Sequence, residues 1–108
     1  MNLSQFTGTE NWYKHPFSKV TYTDGVKYFA DQAGAYWFID IAVCLPMEFP
    51  KEEFFSVSLE SSDGKAKLVV DDGNENILMT KDIEFTDCPD GTYEFYLTND
   101  VLLLTSEY

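Results

Sequence analysis

One histidine, two cysteines and 19 acidic side chains are the groups in this 108-residue sequence that could do chemistry beyond packing. A Ser-His or Cys-His nucleophile would have to use His15. No G-x-S-x-G elbow is present, and neither Cys44 nor Cys88 sits in a recognisable catalytic setting. His15, next to Pro16, reads as a capping or packing residue. Two-carboxylate acid–base chemistry needs a pair set apart by its surroundings, and the spacing singles none out. P-loop, G-x-G-x-x-G and H-E-x-x-H motifs are absent. One His and two distant Cys make a poor zinc set. The run Asp71-Asp72-Gly73-Asn74-Glu75-Asn76 is rich in oxygen, which hard cations prefer. However, Asp71 and Asp72 are adjacent, not alternate, and no Glu closes the loop, so a hairpin turn with an Asx bend is expected. No catalytic residue, metal or cofactor is expected.

Binding chemistry is better represented. Net charge is −12, and all seven basic residues are Lys. Such a chain is repelled by DNA, RNA and anionic membranes, and it lacks the Arg that reads phosphate and guanine. Residues 63–108 hold eleven acids and three lysines. Asp71, Asp72, Glu75, Asp82, Glu84 and Glu94 are therefore candidate partner-binding residues. Their carboxylates would mimic phosphates in the basic groove of a protein partner, such as a host nuclease or another nucleic-acid-binding enzyme. Solubility and edge protection account for the same charges without a partner. A second candidate patch is Trp12, Tyr13, His15 and Asp24, where a small enzyme or ligand-binding protein would have its site; Trp12 and Tyr13 are also suited to anchor an interface. A third reading is an oligomeric accessory protein. Val101-Leu102-Leu103-Leu104 either fills a central strand or pairs across a homodimer.

The elements that must position these residues follow from turns and periodicity. Thr7 and Glu10 have capping-box spacing, so one or two helical turns are expected before Pro16. Lys19–Thr23 reads as a strand, Asp24-Gly25 as its turn, and Val26–Ala30 as the return strand. One long apolar helix is expected from about Gln32 to Leu45, ended by Pro46. Cys44 would lie within it as a small hydrophobe. After Pro50 the period changes to two, in Phe54–Glu60, Ala66–Asp71, Ile77–Phe85, Tyr93–Leu97 and Val101–Leu104, with Lys81 as an intruder that could mark a bulge. Asp63-Gly64, Asp72-Gly73, Asp90-Gly91 and Asn99-Asp100 supply turns. The fold class is α+β in a single domain, 1–108: a curved antiparallel meander of about five to seven strands packed on that helix. The most apolar stretch, Ala33–Leu45, is short for a membrane span of ~20 residues. No signal-peptide pattern opens the sequence, and two free thiols suit a reducing cytoplasm.

Phe6-Thr7-Gly8-Thr9-Glu10, Trp12-Tyr13-Lys14-His15, Tyr22-Thr23-Asp24-Gly25-Val26-Lys27-Tyr28, Ala30-Asp31-Gln32-Ala33-Gly34-Ala35-Tyr36-Trp37, Asp72-Gly73-Asn74 and Ser106-Glu107-Tyr108 carry a resemblance. Together they resemble a family of small uncharacterised proteins of bacterial genomes, plasmids and phages. The resemblance brings no established activity and no catalytic residue. It implies an intracellular protein of mobile elements, and with the acidic composition it suggests an anti-defence inhibitor, for instance an anti-CRISPR.

Overall fold

The computed structural model describes residues 1–108. Its centre is a seven-stranded sheet built from β1 (Trp12–Lys14), β2 (Thr21–Thr23), β3 (Phe54–Ser62), β4 (Lys65–Asp71), β5 (Ile77–Ile83), β6 (Gly91–Thr98) and β7 (Val101–Leu104). The spatial order is β1-β2-β7-β6-β3-β4-β5. Only β3-β4-β5 is a meander. The chain then crosses from the β5 edge back to the far side of β3. β2 and β7 pair in parallel, so the sheet is mixed rather than wholly antiparallel.

Two of the expected tight turns are found. Asp63 and Gly64 (φ 58° and 77°) join β3 to β4, and Asn99 and Asp100 (φ 52° and 59°) join β6 to β7. Paired positive φ values match the twist of the strands they connect. The loops at Asp72-Gly73 and before Asp90-Gly91 are longer.

Asp24-Gly25 is not a hairpin. It opens helix α1 (Asp24–Ala33), whose N-cap Thr23 accepts a hydrogen bond from the Val26 amide. Val26, Phe29, Ala30 and Ala33 follow at i, i+3, i+4 and i+7, and all are buried. Helical spacing plus a threonine cap outweighs the turn preference of the dipeptide. Gly25 serves close packing instead: a Cβ there would lie 2.5 Å from Leu104 Cδ1 and 2.6 Å from Glu107 Oε1.

The long apolar helix is also absent as such. Gly34, in the left-handed conformation (φ 61°, ψ 38°), ends α1 with its N–H bonded to the Ala30 carbonyl. Two short helices follow, α2 (Tyr36–Ala42) and α3 (Leu45–Glu48). Pro46 lies in the first turn of α3, where its missing N–H costs nothing, so it starts a helix rather than stopping one. Cys44, between α2 and α3, is exposed, and Cys88 is buried; both are free thiols. Residues 6–11 form no helix, because Thr9 and Asn11 are tied elsewhere in the fold.

The core lies between the helices and one sheet face. Phe29, Phe38 and Phe95 meet there with centroids 4.5–5.9 Å apart. Leu102 and Leu104 of β7 point into it and are buried. β7 is a central strand between β2 and β6, so the four-residue apolar run is used up inside the monomer. Lys81 stands opposite Leu68, on the core side of the edge strand β5. The irregularity in β5 lies not at Lys81 but where Ile77 and Met79 face Asp71 and Val70, which leaves Leu78 without an opposite residue.

Candidate functional site

The aromatic patch divides in two. Tyr13 and Asp24 come together: the Tyr13 hydroxyl donates to Asp24 Oδ1 at 2.9 Å. β1 supplies Tyr13, which stacks on Tyr22 across the β1–β2 pair (5.7 Å, 27°). The first turn of α1 supplies Asp24. Its Oδ2 also accepts from the amides of Asn11 (3.1 Å) and Glu10 (3.4 Å). His15 lies elsewhere. It is buried, its Nδ1 accepts the Phe17 N–H, and its Nε2 therefore carries the proton donated to Asp40 Oδ1 at 2.8 Å. His15 thus ties β1 to α2, as a packing residue does. Trp12 is 56% exposed on the edge strand, as an interface anchor would be.

Tyr13 and Asp24 line an open groove of about 750 Å³ between residues 5–10 and α1. Lys27, Tyr28 and Asp31 form its helical floor. Lys27 Nζ bonds Asp31 Oδ2 at 3.0 Å, one helical turn on, and sits 5.6 Å from the Tyr13 ring centroid. Asp31 Oδ1 accepts from the Tyr36 hydroxyl at 2.5 Å. The span 6–9 arches over α1, pinned by the Phe6 ring on Tyr28 (5.1 Å) and by Thr9 Oγ1 on Glu107.

Hydrogen bonding within and beside the groove shifts the pKa values of five groups. Desolvation pushes the Asp24 carboxyl up, but the donors Tyr13, Asn11 and Glu10 outweigh it and hold its pKa below the ordinary value. The Tyr36 and Lys27 hydrogen bonds lower Asp31 likewise. Donation to Asp24 raises the Tyr13 pKa, and donation to Asp31 pushes Tyr36 up to about 12. Hydrogen bonding to Asp31 raises Lys27. Every shift moves its group away from neutrality, whereas a general acid or base is tuned toward it.

The six acidic candidates lie around the outer face and far edge of the sheet. Asp82 stands opposite Lys67, and Lys67 opposite Glu60, in one row across β5, β4 and β3. Glu94 stands opposite Ser58 on the same face. Asp71 is at the end of β4. Asp72 and Glu75 belong to the β4–β5 loop, and Glu84 follows β5. Asp72 turns into its own loop, accepting from Asn76 Nδ2 (2.9 Å) and the Asn74 amide (2.8 Å), which lower its pKa. The expected Asx bend is thus present. The three ion pairs of the molecule use Asp40, Asp100 and Asp31; Lys67 stands opposite Glu60 and Asp82 without closing an ion pair with either.

Sequence reasoning missed Lys27 and Asp31, whose i, i+4 spacing becomes visible only once residues 24–33 are read as helix. It also missed Glu107. Its carboxylate accepts from Thr23 Oγ1 (2.6 Å), the Leu104 N–H (3.0 Å), Thr9 Oγ1 (3.1 Å) and the Gly25 N–H (3.3 Å). Three of its four donors, Thr9, Thr23 and Gly25, lie at the other end of the sequence, so no local pattern announces them.

Fold and groove together define a small α+β protein with an open, mostly polar groove beside the first helix. The model of DUF6876, a family of unknown function, matches residues 1–108, and the chain belongs to that family. No curated protein and no solved structure matches it. No helix is long and apolar enough to cross a membrane.

Proposed function

We propose that the protein is a non-catalytic binding protein that sets its acidic sheet face against the basic groove of a protein partner. The observation that supports this is the placement of Glu60, Asp82 and Glu94 on one face of the sheet, where Lys67, between Glu60 and Asp82, is the one cation opposite them and none of the three acids is in an ion pair. The ladder holds these charges at fixed spacing, and three acids share one lysine, so a basic partner would meet net negative charge on this face. Glu60 and Asp82 stand two strands apart, ~10 Å at the usual strand spacing. That suits broad electrostatic complementarity, with association steered by charge, more than a replica of a phosphate ladder. A nucleic-acid enzyme of a defence system, inhibited by an anti-defence protein, is the narrower form of this proposal. It draws on the resemblance to proteins of mobile elements.

Pull-down from a host lysate at low and high salt, read by mass spectrometry, tests it. One basic nucleic-acid enzyme should be captured at low salt and lost near 1 M salt, where the screening length falls to ~3 Å. The triple variant Glu60→Lys, Asp82→Lys, Glu94→Lys should lose that capture while keeping its fold. Capture that survives both changes would refute the electrostatic reading.

A further inference from the structure

We infer that the groove between residues 5–10 and α1 is a receptor for an arginine side chain of a protein partner. This site is separate from the acidic sheet face and does not depend on it. Its volume, about 750 Å³, lies within the ~300–1,000 Å³ range of ligand sites and leaves room for a long side chain with adjoining backbone.

The sign of the occupant follows from the walls. Glu10, Asp24 and Asp31 contribute three carboxylates against the single ammonium of Lys27; Asp24 and Asp31 already accept internal hydrogen bonds, the Glu10 side chain has no partner, and the molecule around them carries −12. Lys27 is already engaged by Asp31 and the Tyr13 ring, so it does not stand free to hold an anion. It also displays the binding mode on a small scale: a cation over an aromatic face, closed by a carboxylate. The Phe6 and Tyr28 rings, half-buried and 5.1 Å apart, line the same groove as Glu10, whose side chain has no hydrogen-bond partner. A planar, weakly hydrated guanidinium suits ring plus carboxylate better than a compact, strongly hydrated ammonium does. The chain has no arginine of its own, so neither it nor a second copy can supply the occupant.

The test is an NMR titration of the full-length, isotope-labelled protein with three capped tripeptides, Gly-Arg-Gly, Gly-Lys-Gly and Gly-citrulline-Gly, and with spermidine. The arginine peptide should shift amide signals of residues 6–10, 27, 28 and 31. The citrulline peptide, equal in shape but neutral, should not. Glu10→Lys changes an exposed side chain without partners, and it should weaken arginine-peptide binding at least tenfold with the rest of the spectrum unchanged. Asp87→Lys, the same charge change in the exposed loop between β5 and β6, should leave it unchanged. Equal binding of lysine peptide or spermidine would overturn arginine selectivity in favour of a general cation site. Shifts confined to residues 71–84, or no shifts at all, would overturn the groove as the receptor.

Discussion

Glu107 ties the span at Thr9 and the start of α1 to the end of β7, because one carboxylate has lone pairs enough for four donors. Replacing it with Ala leaves the helix N-cap hydroxyl and the Gly25 and Leu104 amides short of an acceptor. Loss of about 1–3 kcal/mol is expected, measured by urea unfolding. Gly25→Ala attacks the same junction by overpacking against Leu104 and Glu107, with a similar expected loss of about 1–3 kcal/mol. Tyr36 makes a sharper test of the groove's neighbourhood. Its folded pKa is raised, so the stability it contributes is fully present below about pH 10 and lost as pH climbs toward 12. In an ultraviolet titration one tyrosine should resist ionisation until about pH 12, and Tyr36→Phe should remove that late step. A late step that persists in the variant would assign the shift to another ring.

Among the elements, those whose signal is local were readable and those set by long-range contact were not. β3, β4 and β6 announce themselves by alternation, since Val57, Leu59, Leu68, Val70, Phe95 and Leu97 all face one core. Asp63-Gly64 and Asn99-Asp100 turn as their types require. α1 was hidden because Asp-Gly has two uses, and Thr23 decides between them by capping. The break at Gly34 was hidden because an apolar run gives no sign of where its axis turns. Gly34→Ala should therefore cost about 1–2 kcal/mol, the strain of a left-handed Cβ, although open space surrounds the site. Of the candidate residues, Tyr13 and Asp24 come together because β1 and α1 meet through β2; His15 faces the other way and joins Asp40. At the far edge, Lys81 places a charge on the core side of β5, which discourages another strand from pairing there. Lys81→Ile should raise the apparent mass in light scattering as concentration increases; a strictly monomeric variant would show that β5 is guarded by other means.

At the scale of the molecule, 19 acids against seven lysines make self-repulsion a standing cost. Because the ion pairs are few, added monovalent salt should relieve more repulsion than it removes attraction, and the melting temperature should rise by a few degrees between low and moderate salt. A fall would mean that attractive pairs dominate. The parallel pairing of β2 with β7, and the bond from Thr23 to Glu107 across 84 residues of sequence, have a consequence in time. During synthesis the first helix emerges long before the strand and the carboxylate that complete its start. A nascent chain therefore carries α1 and β2 unfinished until its last strand leaves the ribosome. Phe29 and Phe38 likewise wait for Phe95 of β6 to cover them, the usual order when contacts join distant parts of a sequence.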